Sequence, residues 1–106
     1  ISGGENIYSA EVENVVSQHP QVAQCAAIGI PSDQWGETVH VVIVPASSEF
    51  SLSVEELRDF CRKLIAGYKC PRSISVIDTM PLSGAGKILK TELRKPFWDG
   101  ESKGVA

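Results

Sequence analysis

Apolar residues at helical spacing open the chain. Val12, Val15 and Val16 lie on one helical face within residues 9–18, and Pro20 follows. Acidic residues in the first turn complement the helix dipole. Because proline usually ends a helix, the pattern predicts a short helix over residues 9–18.

Three further apolar runs predict strands. Residues 22–30 (VAQCAAIGI) lie between two prolines, and residues 38–45 (TVHVVIVP) are rich in the β-branched side chains that strands favour. The segment between these runs is short, so the two strands are expected to pair antiparallel. Residues 73–77 (SISVI) predict a third strand.

The helix predicted over residues 53–66 has the clearest boundaries. Ser53 and Glu56 are spaced as a capping box, and Gly67 is a typical residue just after a helix. Its apolar positions recur as a core-facing stripe: Leu57, Phe60, Cys61, Leu64 and Ile65.

A last helix is predicted over residues 90–95, ending before Pro96, and the polar residues 101–106 are expected to form a loose tail. The element order is therefore α-β-β-α-β-α, preceded by a glycine loop. Because a helix separates the second and third strands, we predict an α+β fold with a small three-stranded mixed sheet covered by helices.

Length and composition fit a single domain. The chain has 106 residues, 42% of them hydrophobic, and no apolar run long enough to cross a membrane. It begins with Ile1 rather than methionine, and we interpret residues 1–106 as one domain of a longer protein.

The net charge of −3 is unevenly distributed. Residues 1–53 carry six acidic residues and no lysine or arginine, whereas residues 54–106 carry seven acidic and ten basic residues. The basic half suits a phosphate-bearing ligand, although charge alone favours a solvated surface. The negative total and the few aromatic residues argue against nucleic-acid binding.

Residues suited to metal or redox chemistry are sparse. Cys25, Cys61 and Cys70 form no CxxC pair, and His19 and His40 lack partners at metal-ligand spacing. We therefore predict no metal site, and thiols suited to a reducing compartment, the cytoplasm.

One loop carries a candidate catalytic cation. SGAGK (residues 83–87) places Lys87 after Gly84 and Gly86, but it lacks the first glycine and the final Ser or Thr of a P-loop. Two interpretations stay open. The loop alone favours an exposed turn with a solvated lysine; the other is a cation delivered to a site built elsewhere.

Four segments together resemble one family. They are ISGGENIYSAEVE (1–13), DQWGE (33–37), GYKCPR (67–72) and PLSGAGKILKTELRKPFWDG (81–100). With them, nearly the whole chain resembles the C-terminal domain of the adenylate-forming, AMP-binding ligases: acyl-CoA synthetases, peptide-synthetase adenylation domains and luciferases. The ending LRKPFWDG is most similar to bacterial fatty-acyl-CoA ligases.

The resemblance implies an acid–thiol ligase. A carboxylic acid and ATP would give acyl-AMP and pyrophosphate, and the thiol of CoA would then displace AMP. An N-terminal domain outside this chain would hold the acid, most of the ATP and the Mg²⁺ expected with it. Lys87 would bridge the carboxylate and the α-phosphate, with Gly84 and Gly86 supporting its loop. As an ammonium ion it would stabilise charge rather than transfer a proton.

The resemblance also implies a face that meets CoA after the domain rotates. Gly3 and Gly4 would let the backbone approach the pantetheine arm, Asn6 would hydrogen-bond that arm, and Glu11 would hold the loop in shape. The simpler alternatives are a tight turn for the glycines and an acid that complements the helix dipole for Glu11.

Other residues have assignments with equally simple alternatives. Lys69 and Arg72 would meet the CoA phosphates, or only complement the end of the preceding helix. Trp35 and Gly36 lie in a loop that faces CoA or caps the core, and Trp98 is expected to pack the C-terminal segment.

The expected function is therefore a lid domain of an ATP-dependent acyl-CoA synthetase, inactive as an isolated fragment. One alternative is part of an adenylation domain that loads a carrier protein. Another, from a different class, is an autonomous binding module without chemistry of its own.

Overall fold

The computed structural model describes residues 8–32 and 36–105, with side chains described up to Trp98. A short 3₁₀ helix, Gly67–Lys69, precedes the third strand. The remaining elements follow the predicted order α-β-β-α-β-α: α1 Ser9–Val16, β1 Val22–Ser32, β2 Gly36–Pro45, α2 Val54–Arg62, β3 Ser73–Val76 and α3 Lys90–Val105.

The three strands form one mixed sheet in the order β1-β2-β3, with β2 in the centre. β1 pairs antiparallel with β2, where Ile28 lies opposite His40. β3 runs parallel to β2, with Ser73 opposite His40. The parallel pairing follows from the position of α2, since two parallel strands need a crossover between them. The predicted α+β fold is confirmed.

Side chains of β2 alternate between two cores, one on each face of the sheet. Val39, Val41 and Ile43 belong to the first core, and Val42 belongs to the second. The first core is completed largely by α1, α2 and the segments beside α2: Val12, Val15, Val16, Leu52, Leu57, Cys61 and Cys70. On the opposite face, Ala26 and Ile28 pack with Val42, Met80 and Leu93.

The predicted start of α2 is confirmed, and its predicted end is wrong. Ser53 accepts the Glu56 N–H at 3.1 Å and its own N–H donates to the Glu56 carboxylate at 2.9 Å, which completes the capping box. The helix ends at Arg62 rather than at residue 66. Leu64 is 51% exposed, so the predicted core-facing stripe is interrupted at this residue, although Ile65 still packs against the first core.

The predicted end of α3 before Pro96 is also wrong. The helix runs through Pro96 to Val105, so residues 101–105 continue it where a loose tail was expected. Proline inside a helix costs about 3 kcal/mol, because it lacks an N–H and its ring crowds the preceding turn. Contacts just after it offset this cost: the Phe97 ring lies 4.7 Å from the His40 ring, and Trp98 Nε1 donates to the Gly29 carbonyl at 2.8 Å.

Candidate functional site

The lysine loop is a short hydrogen-bonded hairpin. Leu82 pairs with Ile88 across it. Below this pair the Leu89 N–H donates to the Pro81 carbonyl at 2.9 Å, and above it the Ser83 N–H donates to the Lys87 carbonyl at 2.8 Å. Ile88 also packs against the second core. The hairpin is therefore attached to the domain at its base and closed at its tip.

Ser83 and Gly86 determine the shape of the tip. The Ser83 carbonyl accepts the Gly86 N–H at 2.9 Å, and its Oγ accepts the N–H groups of Ala85 and Lys87, each at 3.2 Å. Gly86 has φ +84°, which non-glycine residues rarely adopt. Three-residue hairpin loops commonly place such a residue at this position. A Cβ added at Gly84 would meet open space, so the geometry requires glycine only at position 86.

Lys87 lies directly after this turn, and it is exposed. Among the side chains that the structure describes, no carboxylate lies within ion-pair distance of it. Its backbone is fixed by two hydrogen bonds, whereas its exposed side chain has no carboxylate partner within the described part of the chain. This arrangement suits a cation that acts on a group outside the domain.

A second cluster lies where α1 meets the 3₁₀ helix. Lys69 Nζ is 2.8 Å from the Glu11 carboxylate and 5.7 Å from the ring centroids of both Tyr8 and Tyr68. The two rings stand edge to face, 6.0 Å apart. The hydrogen bond that Lys69 donates to the Glu11 carboxylate raises the pKa of Lys69. The lysine is thus held as a cation between one carboxylate and two aromatic faces.

A cleft of about 280 Å³ opens beside this cluster. The Arg72 backbone is fixed there because its N–H donates to the Val39 carbonyl at 2.9 Å and Arg58 donates to the neighbouring Pro71 carbonyl at 2.9 Å. The cleft is lined by two tyrosines, the start of β2 and the segment before β3: Tyr8, Glu37, Thr38, Val39, Tyr68, Cys70 and Arg72.

Both regions are tied to α1, through two of its acidic residues. Glu11 contacts Lys69 beside the cleft, and Glu13 contacts Lys90 at the base of the lysine hairpin. Residues two apart on an α-helix point about 200° apart around its axis. The cleft and the hairpin base therefore meet α1 on different sides.

Residues 11–87 match the AMP-binding enzyme C-terminal domain family. The chain belongs to this family. It is 48% identical over 97 residues to a feruloyl-CoA synthase of Amycolatopsis sp, covering 92% of this chain and 20% of that protein. It is 40% identical over 102 residues to the fatty acid–[acyl-carrier-protein] ligase ScoC of Streptomyces coeruleorubidus, covering 96% and 20%.

Solved structures have the same fold. A fatty acyl CoA synthetase of Mycobacterium tuberculosis matches this AMP-binding C-terminal domain with a TM-score of 0.78 and 37% sequence identity, over 94% of this chain and 20% of that one. The chain thus spans about one fifth of the length of the relatives that it matches.

Several predicted site residues of this AMP-binding C-terminal domain lie outside the described residues: Gly3, Gly4, Asn6 and Trp35. The described residue that follows the N-terminal glycine segment is Tyr8, which lines the cleft. Gly36 has φ +78° and lies at the start of β2. Glu11 and Lys69 are brought together, and Arg72 lies beside them at the cleft.

Two groups of interacting side chains in this domain were not predicted from the sequence. Tyr8 and Tyr68 form the aromatic part of the cleft, and Glu13 and Lys90 form a salt bridge. Tyr68 could have been found as an aromatic residue inside the basic GYKCPR segment. The partners of Glu13 are distant in sequence, and no local pattern points to them.

The buried histidine and the thiols carry no candidate chemistry. His40 lies between two hydroxyls, with Nδ1 2.7 Å from Ser73 Oγ and Nε2 2.9 Å from Ser75 Oγ, and burial lowers its pKa to about 4. All three cysteines are free thiols. Burial raises the pKa of Cys25 and of Cys61 to about 11, so these two are poor nucleophiles at neutral pH.

Two further properties of the described residues concern spanning a membrane and holding a metal ion. Within residues 8–32 and 36–105, no helix has the length and apolar character needed to cross a bilayer. In the same part of the chain, no three His, Cys, Asp or Glu side chains are grouped closely enough to hold a metal ion. The described residues therefore offer no such group for the Mg²⁺ expected with ATP.

Proposed function

We propose that this chain is the C-terminal lid domain of an ATP-dependent acyl-CoA synthetase. An N-terminal domain would bind the acid and ATP, and this domain would complete the site. The carboxylate oxygen attacks the α-phosphorus of ATP, and the bond to pyrophosphate breaks. The thiol of CoA then attacks the acyl carbon and AMP leaves. The observation that carries the proposal is Lys87, exposed on a closed hairpin in a member of this family.

Lys87 suits the first of these half-reactions. The acid's carboxylate and the α-phosphate are both anionic, and further negative charge develops on the phosphate oxygens in the transition state. One ammonium group between them reduces their repulsion and orients the attack. The hydrogen bonds at Ser83 and the left-handed Gly86 fix the backbone that carries this cation, which limits the ordering cost paid during the reaction.

The cleft suits the second half-reaction. Arg72 presents a guanidinium beside it, and this planar group is well matched to the phosphates of CoA. Lys69 already contacts Glu11 beside the cleft, so we assign Lys69 a positive charge next to the cleft and assign Glu11 the role of holding Lys69 in place. Gly3, Gly4 and Asn6, which lie outside the described residues, would meet the pantetheine arm.

The two regions cannot meet one substrate from the same side of the domain, because they are tied to different sides of α1. We therefore propose that the domain rotates between the half-reactions. In one pose the hairpin delivers Lys87, and in the other the cleft faces the acyl-adenylate.

Replacement of Lys87 in the full-length ligase tests this function. Lys87→Ala is expected to slow acid-dependent ATP–pyrophosphate exchange by about 10²- to 10³-fold, because one preorganised charge at the reacting group is lost. Lys63→Ala, an exposed lysine after α2, is the matched control and should change the exchange rate by less than about twofold. The isolated 106-residue chain should catalyse no exchange.

Exchange at the wild-type rate in Lys87→Ala would refute the proposal. Exchange by the isolated chain would show that the division of labour between the two domains is wrong.

A carrier protein is the second candidate acceptor. It is favoured by the 40% identity to a ligase whose name specifies an acyl-carrier protein. Assays of the full-length ligase with free CoA and with a phosphopantetheinylated carrier protein separate the two. We propose that CoA is the acceptor. Product formed only on the carrier protein would show that the carrier protein is the acceptor instead.

The cytoplasm is the proposed location. Three free thiols, at Cys25, Cys61 and Cys70, support a reducing environment.

A further inference from the structure

The Glu13–Lys90 salt bridge joins three elements at the base of the lysine hairpin. One carboxylate oxygen of Glu13, on α1, lies 2.7 Å from Lys90 Nζ at the start of α3. The same oxygen accepts the backbone N–H of Ala27, on β1, at 2.8 Å. The side chains of Glu13 and Lys90 are only 26% and 22% exposed, so water screens this pair less than a surface pair.

The position of Lys90 is unusual without this partner. It is the first residue of α3, where the helix dipole disfavours a positive charge. The carboxylate compensates that charge and also satisfies an N–H of the edge strand β1, which pairs on one side only. The Glu13–Lys90 bridge is therefore less exposed than the bridge between Lys95 and Glu92 on the same helix, and its carboxylate makes an additional hydrogen bond to the backbone.

We propose that Glu13 and Lys90 are positioning residues for adenylation. Lys90 follows the last hairpin residue, Leu89, whose N–H closes the hairpin base. Pulling Lys90 toward Glu13 fixes the direction in which the hairpin leaves the domain, and so the place that Lys87 reaches. This inference rests on the proposed function of Lys87, and it assigns no contact with substrate to either residue.

Two substitutions separate charge from folding. Glu13→Gln keeps a side-chain oxygen for the Ala27 N–H and removes the charge opposite Lys90. Lys90→Gln removes the other charge and leaves the Glu13–Ala27 hydrogen bond in place. Lys95→Gln is the matched control, because it makes the same change on the same helix in an exposed pair. Lys90→Arg keeps the positive charge and should therefore retain the wild-type rate of adenylation.

The full-length ligase is assayed for both half-reactions, adenylation and thioester formation from synthetic acyl-AMP. Glu13→Gln and Lys90→Gln should each lower kcat for adenylation about tenfold, with KM for ATP within about twofold, since small misplacement of a catalytic group is costly. The double variant should be no slower than either single variant, because each removes the same pair. In these variants thioester formation should stay at the wild-type rate. In Lys95→Gln both adenylation and thioester formation should stay at the wild-type rate.

Equal slowing of both half-reactions, adenylation at the wild-type rate in both Gln variants, or an equal effect of Lys95→Gln would overturn the inference. Lys87→Ala is assayed in parallel. If it alone slows adenylation, only the positioning role is wrong; if it has no effect, the proposed function itself is wrong.

Discussion

At the scale of single residues, contacts separate the lysines into different roles. Lys69 and Lys90 each lie within 2.8 Å of a glutamate on α1, so their charges are used inside the domain. Lys87 has no carboxylate within ion-pair distance among the described side chains. Lys63 is also exposed and has no carboxylate partner among the described side chains, so it is the position of Lys87 on a closed hairpin that suits it to act on a substrate.

His40 gives a prediction about pH. Burial lowers its pKa from 6.5 to about 4, so the folded domain holds it neutral. As the pH falls below 6.5, the unfolded chain binds a proton that the folded chain does not, and stability is lost until about pH 4. The expected loss between pH 7 and pH 5 from this residue is about 2 kcal/mol.

Urea unfolding of the chain at several pH values measures this loss. His40→Gln should lose about 2 kcal/mol less than the wild type between pH 7 and pH 5, whatever its stability at pH 7. Equal pH dependence of His40→Gln and the wild type would show that His40 titrates normally in the folded domain.

At the scale of elements, boundaries set by neighbouring residues were predictable and those set by distant ones were not. Ser53 caps α2 through Glu56, three residues away, and the pattern was readable in the sequence. The length of α3 depends on Phe97 meeting His40 and on Trp98 meeting Gly29, which are distant contacts. The local sequence around Pro96 therefore predicted the wrong C-terminal boundary for α3.

The candidate site likewise contains residues that a local motif predicted and a contact between distant residues that it did not. Lys87, Gly84 and Gly86 were found because they form one continuous motif. The pairing of Glu11 with Lys69 was not predicted, because it joins α1 to the 3₁₀ helix across the fold. Motifs thus predict a chemistry for the loop, while packing determines which charges neutralise one another.

The hairpin gives a prediction at this scale. Gly86 adopts φ +84°, and an alanine in that conformation costs roughly 1–2 kcal/mol. Gly86→Ala should lower the free energy of unfolding by that amount and slow adenylation in the full-length ligase. Gly84→Ala is the control, since an added Cβ meets open space; its stability should be unchanged or slightly higher. A larger loss of stability in Gly84→Ala than in Gly86→Ala would contradict the described turn.

At the scale of the whole molecule, the two proposed functional regions share one small domain. The sheet separates two cores, and α1 carries a glutamate for each region: Glu11 beside the cleft and Glu13 beside the hairpin. Because these glutamates point to different sides of α1, the two regions meet this helix on different sides. This placement supports the proposed rotation of the domain between the two half-reactions.

The most direct test of this account compares the two half-reactions in one variant of the full-length ligase. In Lys87→Ala, single-turnover formation of acyl-AMP should be slowed by about 10²- to 10³-fold. Conversion of supplied acyl-AMP and CoA to the thioester should proceed at the wild-type rate, because the cleft is untouched. Equal slowing of both steps, or normal formation of acyl-AMP, would contradict the claim that Lys87 acts in adenylation alone.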